Sequence, residues 1–238
     1  MSPNQSATDS LAEKKWTLAN QQHPLGSLQE KDLGSYKLVV LLGPKNKIGA
    51  NYFQVLLQNT SGEVSEQLMV TGLHNQGKYP SYNWIEIIHL SSRMSFGSGK
   101  EVLDISMNGL ARQLLQYLAD LIPPGGHMMV EYDSPEQQDT ARSLALGIPP
   151  IATPLGYLLF SIGCSAGFKD WYFAEGWGEG ARKLQGYKAL NSQHAQLKTE
   201  EAVTELRAFL NRLPSGAGSE LKKAAQDRAL AILSSIGE

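Results

Sequence analysis

The sequence predicts an α+β protein: a mixed, mostly antiparallel sheet with helices on both faces, followed by a C-terminal helical hairpin. Three observations predict it. Five short apolar runs (residues 36–42, 51–58, 66–73, 82–90 and 100–106) are separated by Gly43-Pro44, Asn59-Thr60-Ser61-Gly62, Asn75-Gln76-Gly77 and Phe96-Gly97-Ser98-Gly99. Short strands joined by such turns make an antiparallel meander. The period then switches to helix 108–122, strand 127–132, helix 135–146, helix 154–163 and strand 168–173. After Lys188 the composition turns polar and helical. The chain therefore divides into a polar N-terminal extension (1–33), an α+β domain (34–190) and a helical hairpin (191–238).

The elements follow in order. Residues 1–33 are polar, with a short helix possible around 9–20, and are expected to pack loosely. Residues 1–9 lack the apolar core of a signal peptide. The meander ends at Ser95-Phe96-Gly97-Ser98-Gly99-Lys100, which resembles a phosphate-binding loop only in part. Met94 stands where the first glycine belongs and Glu101 where the magnesium-binding hydroxyl belongs, so a tight hairpin turn is expected. Helix 108–122 has the clearest period. Leu110, Leu114, Tyr117, Leu118 and Leu121 share one arc with Ala111, Leu115 and Ile122 at its edge; Arg112, Gln113, Gln116, Ala119 and Asp120 fill the other. Pro123-Pro124-Gly125-Gly126 stops it. In the hairpin, Val203, Leu206, Leu210 and Leu213 face one way on the first helix. Leu221, Ala225, Ala229, Ile232 and Ile236 do so on the second. It is expected to pack back on the domain or on a partner chain, and to be separable from the core.

Composition narrows the function. Of the 238 residues 18% are charged and the net charge is −2, so no basic field argues for nucleic acid. The single cysteine, Cys164, fits a reducing, cytoplasmic compartment. The five histidines are scattered without paired spacing, so no metal site is expected. Residues 143–168 hold no charge, but Pro149, Pro150, Pro154 and several glycines would break a spanning helix. The run reads as buried core and no membrane association is expected.

Helix 108–122 begins in a manner suited to an anion. Asn108 is a good N-cap, yet no Asp or Glu lies between Met107 and Leu115, where the helix dipole would favour one. An open helix N-terminus after a strand is a phosphate-binding arrangement, and Gly109 lets a ligand approach the backbone. An ordinary solvated helix start is the alternative.

The run Tyr157-Leu-Leu-Phe-Ser-Ile-Gly-Cys-Ser-Ala-Gly-Phe-Lys-Asp-Trp-Tyr-Phe-Ala-Glu-Gly follows a strand–helix pair. Here the chain resembles the GNAT superfamily of acyl-CoA N-acyltransferases: a meander, a strand, a pyrophosphate turn, a helix, a second strand, another helix and a Gly-Phe opening the next strand. The block Gly147-Ile148-Pro149-Pro150 with Lys169-Asp170-Trp171-Tyr172-Phe173-Ala174-Glu175-Gly176 also resembles an uncharacterised prokaryotic family placed in that superfamily, domain of unknown function 1122. The resemblance implies binding of acetyl-CoA or another acyl-CoA as cosubstrate, without a metal. The cofactor site would comprise Leu103, Ile105, Ser106, Met107, Asn108, Gly109 and Leu110. The superfamily's Arg/Gln-x-x-Gly-x-Gly/Ala is reduced here to Asn108-Gly109. Its thiolate-protonating tyrosine would fall at Gly163, leaving Tyr157 as the only tyrosine on that helix.

Acyl transfer to an amine needs strand amides that polarise the thioester and a base for the ammonium proton. Strands 100–106 and 127–132, as a splayed parallel pair, are the candidates for the amides. Asp104 and Glu131 are the candidate bases, with Glu86 and His89 in reserve; for each carboxylate a structural ion pair is the alternative. Residues 169–180 suit a substrate-facing loop or equally a homodimer contact. The expected activity is acyl-CoA-dependent N-acylation of a small-molecule or peptide amine. The rival is a catalytically silent ligand-binding or assembly module.

Overall fold

Apolar residues two apart along three early strands build the first of two units. In the computed structural model, which describes residues 16–91, 93–99, 101–104, 109–132, 138–165, 171–178, 181–212 and 220–237, these strands are β3 (Tyr36–Lys45), β4 (Asn51–Gln58) and β5 (Val70–Asn75). Side chains are described for all of these residues but 163–165, 171–178 and 181–182. The first unit spans Met1–Gln76 and Ile88–Ala111; the second spans Gly77–Ile87 and Arg112–Glu238.

In the first unit β3, β4 and β5 pair antiparallel as a meander, as expected. The register sets Val40 opposite Val55 and Val55 opposite Val70, with Leu42, Phe53 and Gly72 in the next row. Side chains alternate between faces along a strand, so one face carries Leu38, Val40, Phe53, Val55, Leu57 and Val70, all buried. His74, opposite Asn51, ends the same face.

Residues 16–33 differ from expectation. They are packed, with no helix over 16–20. Strand β1 (Thr17–Leu18) pairs with Leu41 and Leu42, and a 3-10 helix, Pro24–Glu30, follows. Strand β2 (Asp32–Leu33) pairs with Tyr36 and Lys37. Leu25, Leu28 and Leu33 are fully buried, each contributing about 1.5–3 kcal/mol by removal from water. The rest of the expected helix lies outside the described residues.

A second correction concerns residues 100–106. The run does not join the meander. Strand β8 (Glu101–Asp104) pairs antiparallel with β7 (Arg93–Phe96) in a hairpin of its own, in the register Phe96–Glu101 to Arg93–Asp104. Gly97, Ser98 and Gly99 all have positive φ (57°, 59° and 77°), a left-handed run that only a glycine-rich turn sustains. The tight turn expected at this motif is therefore present. Ser95 on β7 donates from its hydroxyl to Glu66 and Gln67, 2.9 Å away in each case, which ties the hairpin to the 58–70 connection.

The second unit contains the parallel step. Strand β6 (Trp84–Leu90) pairs in parallel with β9 (His127–Glu131), and its first four residues belong to this unit. Strand β11 (Ala181–Lys188) lies antiparallel beside β9, and β10 (Trp171–Gly178) antiparallel beside β11. The order in this unit is thus β6-β9-β11-β10. The expected partner of β9 was strand 100–106; its actual parallel neighbour is β6. Only the β7–β8 hairpin and one helix intervene in sequence, a crossover long enough for parallel pairing.

That helix is α1 (Leu110–Asp120). Its buried side is Leu110, Leu114, Leu115, Leu118 and Ala119, with Ile122 just beyond, whereas Tyr117 and Leu121 are half-buried. The apolar arc is rotated toward Leu115 and Ala119 from the one the periodicity suggested. Helices α2 (Gln138–Ala145), α3 (Pro154–Ser165), α4 (Ser192–Arg212) and α5 (Glu220–Ser235) follow. The C-terminal pair packs back on the chain: Val203, Leu206, Phe209, Ala225, Ala229, Ile232 and Leu233 form one buried cluster with Ile148, Ile151 and Ala152. The uncharged run is buried at Ser143, Leu155, Leu159 and Ile162. No helix among the described residues is long and apolar enough to cross a membrane. The whole is a mixed α+β protein whose strand pairings are mostly antiparallel.

Candidate functional site

The candidate site follows from alternation along β6, β9 and β11. The registers align Trp84, His127 and Tyr187 in one row, Glu86, Met129 and Gln185 in the next, and Glu131 with Lys183 beyond. The intervening rows are Ile85, Met128 and Gly186, then Ile87, Val130 and Leu184. One face of this sheet is therefore largely apolar, with Ile85, Ile87, Met128, Val130 and Leu184 buried, and the other bears Glu86, Glu131 and Lys183.

On the charged face, Lys183 Nζ lies 2.6 Å from Glu86 Oε1 and 3.9 Å from Glu131 Oε1. The side chains are only 13%, 9% and 22% exposed, respectively. The Lys183 ammonium offsets the cost of holding Glu86 away from water, and in part that of Glu131. One ammonium from β11 thus draws together carboxylates from two parallel strands, a constellation able to accept a proton or hold a cation. One end of the face is aromatic: the His127 ring lies 6.5 Å from that of Trp84 and 5.3 Å from that of Tyr187. Burial pushes the His127 imidazole below its ordinary value, so it is neutral near pH 7. The Tyr187 hydroxyl donates to Gln185.

The residues singled out in the sequence fall in several places. Leu103 and Asp104 are on β8, opposite Met94 and Arg93. Ile105, Ser106, Met107 and Asn108 lie outside the described residues. Gly109 has φ +69°, and a Cβ there would meet open space. Its left-handed backbone is a reason for glycine independent of any ligand. Leu110 opens α1, whose first turn holds no acid, as expected. Glu131 is in the charged cluster beside the reserve residue Glu86, while His89 is exposed. Tyr157 packs against the helical cluster around Ile151 and Phe209.

Lys183 was not anticipated. Residues 181–188 carry a single strong apolar residue, Leu184, and Gly186 interrupts the buried row, so the period-two signal is nearly absent. The only cue was the polar spacing Lys183, Gln185, Tyr187 following a stretch with strand-like aromatics. Among the described residues no group of three or more His, Cys, Asp or Glu is placed to hold a metal ion.

The protein is thus of a mixed α+β class, with a parallel strand pair carrying a lysine-bridged pair of carboxylates. It belongs to the family described as "Protein of unknown function (DUF1122)", which matches residues 40–213. The crystal structure of a protein of unknown function, AQ1966 from Aquifex aeolicus VF5, is similar at a TM-score of 0.58 and 18% identity. The similarity covers 88% of this chain and 98% of that one and concerns the fold alone. No curated protein matches the sequence.

Proposed function

We propose that this protein is an acyl-CoA-dependent N-acyltransferase acting on a small-molecule or peptide amine, with a GNAT-like arrangement of its second unit. The observation that carries the reading is the parallel β6–β9 pair, connected through a helix with an acid-free first turn and bearing Glu86 and Glu131 on one face. A parallel pair separated in sequence by such a helix is what the resemblance to the superfamily leads one to expect.

In this reading a carboxylate, Glu86 or Glu131, takes the proton of the acceptor ammonium. The freed amine nitrogen attacks the thioester carbonyl, and its electron pair forms the new C–N bond. Collapse of the tetrahedral intermediate breaks the C–S bond and expels the coenzyme A thiolate, which takes up the proton that the attacking nitrogen sheds as it becomes the amide. Glu131 and Tyr157 keep the candidate catalytic roles drawn from the sequence, as does Asp104. Leu103, Ile105 and residues 106–110 keep the candidate role of binding acetyl-CoA or another acyl-CoA.

A catalytically silent binding module is the second reading, and the 2.6 Å Lys183–Glu86 contact favours it, because a base so engaged must shed its partner before it takes a proton. Calorimetric titration with acetyl-CoA, followed by thiol-release assays over a panel of amines, separates the two. Binding with amine-dependent thiol release supports the enzyme, and binding without release across the panel supports the silent module. No binding of acetyl-CoA or longer acyl-CoAs removes both as acyl-CoA proteins.

A further inference from the structure

The N-terminal segment of the first unit is held to its sheet by a contact between two histidines. The rings of His23 and His74 meet edge to face, with centroids 5.3 Å apart and planes at 83°. His23 caps the 3-10 helix: its Nδ1 accepts from the Leu25 N–H at 3.3 Å. Its side chain is also hydrogen-bonded to that of Asn51 on β4. An Nδ1 that accepts carries no proton, so the bound form of His23 is the neutral one. His74 is 6% exposed, and its Nδ1 has no hydrogen-bond partner among the described residues.

We propose that the His23–His74 contact is an acid-released latch: neutral histidines hold residues 16–33 against the first unit's sheet, and protonation of the pair lets that segment go. A proton added to His23 lands on Nδ1 and turns the acceptor toward Leu25 into a donor facing a donor, so the cap is lost. A charge on His74 would be buried with no acceptor for its Nδ1–H. The groups facing the pair add to the cost. Lys45 at the end of β3 repels a charge on His23, and His23 repels one on His74. Asn51 acts the other way, its hydrogen bond raising the His23 value.

The remaining attachments of the segment are local. Strand β1 contributes two pairs, Thr17–Leu42 and Leu18–Leu41, and β2 two more. Leu25, Leu28 and Leu33 supply the apolar anchorage. Short elements of this kind open below the global unfolding free energy. Release would uncover the edge of β3 along Leu41–Leu42 and Tyr36–Lys37, which is the kind of edge that accepts another strand.

Burial, with His23 beside it, lowers His74 from 6.5 to about 4. A histidine at about 4 in place and 6.5 when released makes opening roughly thirtyfold more favourable at pH 5 than at pH 7.5.

Hydrogen exchange followed by mass spectrometry on the full chain, corrected for intrinsic rates, tests this at the two pH values. The opening constant of residues 16–33 should rise roughly thirtyfold at pH 5, while residues 51–58, which open only with the whole unit, stay the more strongly protected at both pH values. In H23N/H74Q, where Asn still caps and neither residue titrates, the rise should fall below about threefold. The latch is overturned if residues 16–33 and 51–58 open together, if exchange of the segment ignores pH, or if the double variant keeps the full response. Should that variant not fold, the imidazole titrations of the wild type decide by NMR. A His74 midpoint well below 6.5, reached as the segment opens, supports the latch, and an ordinary midpoint overturns it.

Discussion

Lys183 Nζ sits 2.6 Å from Glu86 Oε1 although the two residues lie on strands that are not neighbours, with β9 between them. The lysine side chain crosses a whole strand to make the contact, passing Glu131, its own register partner. Removing the ammonium alone leaves the buried Glu86 without its counter-charge and takes one from the half-buried Glu131. Lys183→Met should therefore cost roughly 3–5 kcal/mol. Adding Glu86→Gln and Glu131→Gln should recover a good part of the loss, because the buried charges go with the lysine. Urea denaturation of the single and triple variants measures both. Equal stability in the wild type and Lys183→Met would mean that the bridge does not hold in solution.

The helical cluster bears on whether the hairpin is separable from the core. A chain ending at Asn191 would strip Val203, Leu206, Phe209, Ala225, Ala229, Ile232 and Leu233 from Ile148, Ile151 and Ala152. It would also remove Arg228, whose Nη1 donates to the Ala152 carbonyl at 3.0 Å. The truncated protein should be insoluble or should lose its cooperative melt. As a gentler probe, Leu206→Ala, at a fully buried position, should cost about 2–5 kcal/mol. Calorimetry on both forms is the check.

Gly109→Asp combines two effects. The φ of +69° is left-handed backbone that a side chain adopts only with strain, so the variant should lose roughly 1 kcal/mol of stability. If the turn binds a pyrophosphate, the added carboxylate should also weaken acyl-CoA by about tenfold or more, equivalent to ~1.4 kcal/mol. Gly109→Asn controls for the strain, because it carries no charge. A Kd that is the same for the Asp and Asn variants would remove residues 106–110 as the phosphate site.

The histidines should titrate unequally. Burial lowers His127, burial and the nearby Lys45 lower His23, and burial with His23 beside it lowers His74. A histidine with a depressed folded value is neutral in the native state. The stability it contributes is full above about pH 6.5 and is lost as pH falls from there toward the folded value. For His74, falling to about 4, the loss amounts to roughly 3 kcal/mol by pH 4. An NMR titration of imidazole protons should place the midpoints of His127, His23 and His74 below 6.5. Urea melts between pH 7 and 4.5 should show stability declining over the same range.

How much of this was legible depended on how much of each pattern survives in one dimension. The left-handed turn at Gly97–Gly99 was readable because glycine spacing dictates it locally. So was α1, although its buried side turned out to centre nearer Leu115 and Ala119 than Tyr117, since packing decides which edge residues go in. The N-terminal segment was misread because Leu25, Leu28 and Leu33 stand singly among polar residues, and a 3-10 turn leaves no long period. The partner of β9 was misassigned because Val102, Leu103 and Ile105 look like the strand that feeds the helix. The true partner, β6, lies a hairpin further back, and nothing local distinguishes the two. Glu131 was visible as a carboxylate at a strand end. Its bridge to Lys183 was not, because a cross-strand contact depends on register.

The shared cluster of Ile151 with Ile232 also sets a schedule. A chain emerging from the ribosome has all of β1–β5, β7 and β8 once Asp104 has been added, so the first unit has every strand it needs early. The second must wait: the apolar sides of Ile148, Ile151 and Ala152 find their counterparts only when Ala225, Ala229 and Ile232 have been made. At about 5–20 residues per second, the stretch from Ile151 to Ile232 takes roughly 4–16 s. During that interval the uncharged segment around α3 is a nascent hydrophobic surface without its cover, and the period in which a trigger-type holdase would matter most to yield.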